Sequence, residues 1–408
     1  MSEQIETIII GGGQSGLAMS YCLTQPGREH LILERARLAE KWRSERWDSL
    51  TLLTPNWLTR LPGFEYQGDD PDGFMPKDDV VTFIEDYAAS FTPPLRCGTT
   101  VESLKQHPEG TGFVLTTSEA TFEAPNVVIA TGAFQKPKIL PVSAGFPRSI
   151  FQLHSSRYKN PDQLPPGGVL VVGSGSSGCQ IAEELNESGR QVYLSLGRSQ
   201  RSTRRYRGKD SSWWRYMTGE FDLTPDMATS QWSKYGPGGQ LTGVRGGHDL
   251  DYRKFAADGV VLLGHLQGVE GPKLHLAPDV GETLKLWDES FEMMRQRVDR
   301  YIRETGMDAP PDDTHSPELD PRVIEEPIVE LDLDERGVTT VIWATGFVSD
   351  FSWAQVPVFD GAGRPMHQRG VTACPGLYFL GLRFLYKWKS SFIFGVGDDA
   401  QYLAEQLG

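Results

Sequence analysis

Apolar runs of four residues recur in this chain, and two of them are followed by the same pattern. Thr7 to Ile10, in "TIIIGGGQSGLAMSYCL", precedes a glycine turn and then apolar positions three to four apart at Leu17, Tyr21 and Leu23. Val169 to Val172, in "VLVVGSGSSGCQIAEEL", does the same, with Ile181, Ala182 and Leu185 on one face. Each reads as a buried strand, a tight turn and an amphipathic helix. Gly189 stops the second helix. A second strand follows each unit: "HLILER" ends at Glu34 and "QVYLSL" ends near Ser195. Further strands are predicted in "VLTTSEATFEAPNVVIATG" and "VIWATGF", each closing on small residues that let the backbone approach a ligand. Phe291, Met294, Val298 and Ile302 have helical spacing, with Gly306 as a stop, and read as core.

The predicted fold class is α/β, with two dinucleotide-binding, Rossmann-like domains. Proline- and glycine-punctuated stretches supply the boundaries. "KPKILP" is a crossover, and "YKNPDQLPPGG" and "APPDDTHSPELDPRV" are linkers. They divide the chain into a first domain over 1–164, an inserted domain over 165–325 and a resumption of the first over 326–408. An additional stretch at about 199–265 carries Trp213, Trp214, Trp232 and Tyr235, and reads as a lid, a substrate wall or a decorated surface.

The two glycine turns define the chemistry. Gly11 and Gly173 permit the turn, Gly13 and Gly175 let the backbone approach a pyrophosphate at the helix N-terminus, and Gly16 and Gly178 allow close helix–strand packing. Glu34 stands 23 positions after Gly11, where a ribose hydroxyl needs an acceptor. No acid ends the corresponding second strand. Arg198 stands there instead, followed by Arg201, Arg204, Arg205 and Arg207. A carboxylate would repel a 2'-phosphate and a guanidinium would bind it. FAD at the first loop and NADPH at the second are therefore the expected cofactors, with Arg198 on the 2'-phosphate. The later arginines are open between phosphate grip, lid and surface.

Composition narrows the partners. The chain has 408 residues and a formal net charge of -14, which argues against broad nucleic-acid or anionic-membrane binding. Its four cysteines, Cys22, Cys97, Cys179 and Cys374, are far apart and form no C-x-x-C, so neither a zinc site nor a redox dithiol is expected. "IETIII" is too short for a signal-peptide core, and no later stretch has the length of a membrane span, so a cytoplasmic address is expected.

In order and spacing, the first loop, Glu34, "KWRSERWDSLTLLTP", "ATGAFQKP", "HSSRY", the second loop and "VIWATGF" resemble the flavin-containing monooxygenase family, including its plant auxin-forming branch and related bacterial enzymes. The resemblance covers nearly the whole chain. It implies further cofactor-binding positions at Arg35, Trp42, Thr54, Val101, Ala130, Thr131, Gly132, Ser176, Ser177, Ala344, Thr345, Gly346 and Gly381. It implies a cycle in which NADPH reduces FAD and oxygen adds at flavin C4a to give a hydroperoxide. One oxygen atom then passes to a small substrate, commonly an amine or sulfide. It also implies a homodimer. No protein nucleophile is required, and no catalytic residue is assigned.

Several positions depart from the family pattern. Arg148 and Ile150 replace the Phe and Gly of its F-x-G-x-x-x-H signature, whereas His154 and Tyr158 fit the second half. His154 reads as a structural hydrogen-bonding group. Leu53 stands where many members place a flavin-side asparagine, and Asn56 does not align with it. Ser176 replaces a common Asn and Gln180 a common Asp. An NADPH oxidase or reductase of the same fold, a Baeyer–Villiger-type monooxygenase and a non-catalytic flavin-binding regulator are the alternatives.

Overall fold

The computed structural model describes residues 2–108, 110–227 and 239–407. Two five-stranded parallel sheets organise it, each with its own hydrophobic core. The first sheet has the order Leu377–Phe379, Asn126–Ile129, Thr7–Ile10, Leu31–Leu33, Leu95–Arg96. The second has the order Phe151–His154, Val338–Trp343, Gly168–Val172, Val192–Ser195, Val261–Leu263. The two orders are counterparts. In each, the glycine-turn strand is central, the ribose strand lies on one side, and the strand leading into an Ala-Thr-Gly turn lies on the other. All-parallel strands are covered on both faces, which is why they read as continuous apolar runs. Thr7–Ile10, Gly168–Val172 and Val192–Ser195 are buried at every position.

Helices Gln14–Thr24 and Ser176–Glu187 follow the two turns. Neither has an acidic residue in its first turn, so no side-chain charge competes for the N-terminal dipole. Each sheet also has an antiparallel partner layer. Val101–Gln106, Phe113–Thr117 and Thr121–Ala124 form a meander beside the first sheet, and Leu266–Glu270, Lys273–Leu276 and Glu330–Asp332 form one beside the second. The helix expected around Phe291 spans Val280–Thr305 and ends at Gly306, whose φ is +67°.

Strand pairing corrects the expected limits of the inserted domain. Phe151–His154 and Val338–Trp343 lie outside 165–325, yet both are strands of the second sheet. "VIWATGF" therefore belongs to the second dinucleotide fold and not to the resumption of the first. Two buried parallel strands of similar composition carry no label for their sheet, and only the pairing assigns them. Residues 42–50 also cross the expected boundary: Trp47 and Leu50 join the core of the second fold, and Trp42 packs against both cores.

The stretch 199–265 is likewise not all addition, because Val261–Leu263 is a strand of the second sheet. Within it, Ser211–Met217 packs on the long helix. Trp214 is buried with Tyr206, Phe291, Met294 and Val298, and its Nε1 donates to Tyr206 O at 2.6 Å. Trp213 lies edge-on to it. Trp214 is a core residue, and Trp213 is half-buried against that core. Trp232 and Tyr235 lie outside the described residues. Phe221, from the same stretch, stacks on Trp388 and meets Phe394, and thereby docks the stretch on the C-terminal part of the chain.

Candidate functional site

The two glycine turns are built alike at the atomic level. Gly11 and Gly173 have φ of +107° and +100°, a region only glycine enters without strain. A Cβ on Gly11 would sit 2.8 Å from Ala130 O, and one on Gly173 would sit 2.7 Å from Ala344 O. A Cβ on Gly16 or Gly178 would fall on the carbonyl oxygen of Gly11 or Gly173. Around Gly13 and Gly175, by contrast, the space is open. The open glycine therefore faces the ligand side while the other two are packing devices, as phosphate contact requires. The residues present fit a dinucleotide at each turn.

The Ala-Thr-Gly turns complete the correspondence. Ala130, Thr131 and Gly132 lie against the first glycine turn; Ala344, Thr345 and Gly346 lie against the second. Phe134 follows the first turn and Phe347 the second, and their rings meet edge-on at 5.4 Å. Lys136–Pro137 pairs antiparallel with Phe347–Val348, so the two crossovers run side by side. Thr345 Oγ1 donates to Lys138 O, and Gln135 donates to Thr131 Oγ1 at 2.9 Å.

Glu34 lies at the carboxyl end of its strand. Its Oε2 accepts from Gly12 N at 2.7 Å and its Oε1 from Ala36 N at 3.0 Å, which fixes the carboxylate beside the turn. Thr99 N donates to Glu34 O at 2.9 Å and brings Val101 near the same strand end. Arg35 is exposed next to it. Gly381 has φ +77° and packs on Ser15 in the first helix. Thr54 is half-buried beside Leu53, whose carbonyl accepts from Arg204 Nη1 at 2.9 Å. Asn56 is buried and donates through Nδ2 to Asp70 O at 2.9 Å, while its Oδ1 is buried without a hydrogen-bond partner among the described residues.

Arg198 is exposed just past the second ribose strand, and no hydrogen bond or ion pair joins it to another described residue. The arginines after it behave differently. Arg201 pairs with Asp251 at 3.2 Å and Asp288 at 3.0 Å and lies over Trp287. Arg204 is 1% exposed, pairs with Asp210 at 2.8 Å and lies over Phe74. Its burial lowers its pKa, against the attraction of Asp210. Arg205 donates to Gly246 O and Gly247 O, and Arg207 pairs with Asp299. These four hold the added stretch together and are not a phosphate grip.

Sequence reasoning missed a network under the second turn. Ser174 Oγ accepts from Gly197 N at 2.9 Å and from Tyr252 OH at 2.6 Å. Gln240 reaches Ser174 O, Ser199 Oγ and Tyr252 OH, and its Oε1 accepts from Trp287 Nε1. Ser176 Oγ donates to Gly239 O at 3.1 Å, and Gln180 Nε2 to Leu241 O at 2.6 Å. The two departures from the family pattern at Ser176 and Gln180 thus dock residues 239–241 on the second helix. Ser177 is half-buried in its first turn. No sequence signal joins Gln240 to a loop 66 positions away.

The segment from His154 to Asn160 is fastened to the second fold and to residues 44–46. His154 Nδ1 accepts from Ser156 N at 3.1 Å, so the proton lies on Nε2, which donates to Gly346 O at 2.9 Å. Burial lowers its pKa. Tyr158 OH donates to Glu184 Oε2 at 2.7 Å, and Lys159 Nζ donates to Ser44 O and Arg46 O. The four cysteines are unpaired. Among the described residues no cluster could hold a metal ion, and no helix is long and apolar enough to cross a membrane.

Two like parallel sheets, each with its glycine turn, give two dinucleotide sites, in a flavoprotein oxidoreductase that uses FAD and NADP. The chain belongs to the pyridine nucleotide-disulphide oxidoreductase family, whose model matches residues 8–215. It is 36% identical to the uncharacterized oxidoreductase CzcO-like of Geobacillus kaustophilus over 410 residues, covering 100% of this chain and 99% of that one. It is 32% identical to indole-3-pyruvate monooxygenase YUCCA8 of Oryza sativa over 200 residues, 46% of this chain and 47% of that one. Among solved structures it is similar to the flavin-containing monooxygenase of Stenotrophomonas maltophilia, with TM-score 0.66 and 18% identity, covering 99% and 98% of the two chains. The complex of OTEMO with FAD and NADP matches at TM-score 0.58 and 14% identity, covering 100% and 86%.

Proposed function

We propose that this protein is an NADPH-dependent monooxygenase that delivers one atom of O2 to a small organic substrate, with oxygenation at nitrogen or sulfur favoured. The observation that carries this reading is the contrast between Glu34, held beside the first turn, and the exposed, unpaired Arg198 at the second. It supports a flavin-nucleotide site at the first turn and an electron-donor site at the second. FAD, when bound, supplies the relay from nicotinamide to oxygen. The chain's own residues bind and orient. The Gly11–Gly16 and Gly173–Gly178 turns hold the pyrophosphates, Glu34 accepts from a ribose hydroxyl, and Arg198 binds the 2'-phosphate. His154, neutral, fixes the Ala344–Gly346 turn. With no cysteine pair, dithiol exchange has no route.

One observation favours a second reading, an NADPH oxidase that releases hydrogen peroxide. Leu53 offers only its backbone where the family places an asparagine, and that carbonyl is taken by Arg204. NADPH oxidation, oxygen uptake and peroxide release, measured together with amines, sulfides and ketones, separate the two. Incorporation of one 18O atom into a product, with less peroxide, supports the monooxygenase. Peroxide equal to NADPH consumed with every compound supports the oxidase. A cytoplasmic location and a homodimer accompany the leading reading, and sedimentation checks the latter.

A further inference from the structure

Arg198 is exposed and has no hydrogen bond or ion pair to another described residue, yet both of its neighbours along the chain are held. On one side, Ser174 Oγ accepts from Gly197 N at 2.9 Å and donates to Gly197 O at 3.3 Å. On the other, Ser199 is 3% exposed and its Oγ lies 2.8 Å from Tyr252 OH. The same phenol donates to Ser174 Oγ at 2.6 Å. One side chain, 53 positions beyond Ser199, thus reaches the clasp before Arg198 and the hydroxyl after it.

The order of the protons follows from the donors available. Ser174 gives its only hydroxyl proton to Gly197 O, so the phenol is the donor in its bond to Ser174 Oγ. The phenol oxygen then accepts from Ser199 Oγ and from Gln240 Nε2. Burial raises the Tyr252 pKa well above the ordinary phenol value, so the proton stays in place. Gln240 is fixed in turn: its Oε1 accepts from Trp287 Nε1, and its N donates to Gln200 O at 3.1 Å. Tyr252 and Gln240 are fully buried. A buried network whose members are satisfied is rigid. Gly197 needs that rigidity. A Cβ there would meet nothing within 4 Å, so packing does not hold it, and glycine has the freest backbone of any residue. An arginine side chain is long and flexible, and its aim starts from the backbone that carries it.

We propose that Tyr252 is a positioning residue for the choice of nicotinamide cofactor: through Ser174 and Ser199 it fixes the backbone on both sides of Arg198 and so aims the guanidinium at the 2'-phosphate of NADPH. This inference rests on the reading of Arg198 given under the proposed function.

Oxidised, FAD-loaded protein is titrated with NADP+ and with NAD+ by calorimetry, without turnover. The wild type binds NADP+ more tightly than NAD+. Tyr252→Phe, and Ser174→Ala as a second way to open the clasp, each weaken NADP+ about three- to tenfold, the worth of one neutral hydrogen bond, and leave NAD+ within about twofold. Added to Arg198→Ala, Tyr252→Phe weakens NADP+ no further, because the group it aims is gone. Equal losses of NADP+ and NAD+ overturn the proposal, because they mark general support of the glycine turn. Unchanged NADP+ affinity in both variants overturns it, as do losses that add in the double variant. If the wild type has no preference for NADP+, or keeps one in Arg198→Ala, the 2'-phosphate assignment falls and this inference with it. If Arg198→Ala loses the preference while Tyr252→Phe and Ser174→Ala keep it whole, only this inference falls. A failure to oxygenate any compound leaves the binding result standing and overturns only the proposed reaction.

Discussion

His154 donates through Nε2 to the carbonyl of Gly346 at 2.9 Å, a contact between residues 192 positions apart. The same carbonyl accepts from Lys138 N at 2.9 Å, so the imidazole helps hold the place where the two crossovers meet. Its ring is edge-on to Phe347 at 5.0 Å. A group in this position is set up to position a turn.

The first prediction concerns pH. Burial holds the His154 pKa below its ordinary value, so the folded state binds fewer protons there than the unfolded state. Its contribution is complete above about pH 6.5, the unfolded value, and is lost as pH falls through the depressed folded value. His30 and His367 are shifted in the same direction by burial, so the comparison must be made against a variant. The Tm of the wild type should fall more steeply below about pH 6.5 than that of His154→Gln. At neutral pH the variant should lose about 1 kcal/mol of stability, with a raised KM for NADPH and kcat little changed. A collapse of kcat with KM unchanged would instead identify His154 as an acid or base in the reaction.

On the proposed reading, Arg198 selects the nicotinamide cofactor. Arg198→Ala should lower kcat/KM for NADPH on the order of ten- to a hundredfold, the worth of a charge-assisted hydrogen bond. Activity with NADH should change little. Equal losses with the two cofactors would remove Arg198 from the 2'-phosphate.

Arg204 should behave in the opposite way. It is buried against Asp210 and crosses to Leu53 O, so its loss strands a carboxylate and two carbonyl oxygens. Arg204→Met should destabilise by about 3 kcal/mol in urea unfolding, as breaking a buried pair does. The ratio of NADPH to NADH activity should stay that of the wild type. A shifted ratio with normal stability would return this arginine to the cofactor.

The two packing glycines allow the cofactor sites to be emptied one at a time. Gly16→Ala drives a methyl into the Gly11 carbonyl and Gly178→Ala drives one into the Gly173 carbonyl. The first should purify without flavin colour. The second should keep FAD, be reduced by dithionite, and be reduced by NADPH at least tenfold more slowly than the wild type. Loss of flavin from the Gly178→Ala protein would contradict the division of cofactors between the loops.

Much of this was legible in the chain because it is local. A strand, a turn needing φ above zero and a helix lie within about a dozen residues, and sterics alone constrain them. Leu17, Ile181, Ala182 and Leu185 are buried as their spacing predicted. Glu34 was legible for the same reason, since its distance along the chain from Gly11 is set by one helix and one strand.

What the sequence by itself determined is therefore the pair of dinucleotide units and the chemical difference between their strand ends. Sheet membership was decided only by the tertiary structure. Val338–Trp343 and Asn126–Ile129 are equally apolar, and backbone pairing across more than a hundred residues places one in each sheet. The fate of the arginines was decided there too. A guanidinium a few residues past a strand, as Arg204 is past Val192–Ser195, reads the same whether it meets a phosphate or Asp210. Which one it meets depends on where Asp210, Phe74 and Leu53 are brought from elsewhere in the chain. Long-range packing chooses partners, and local spacing carries no record of that choice.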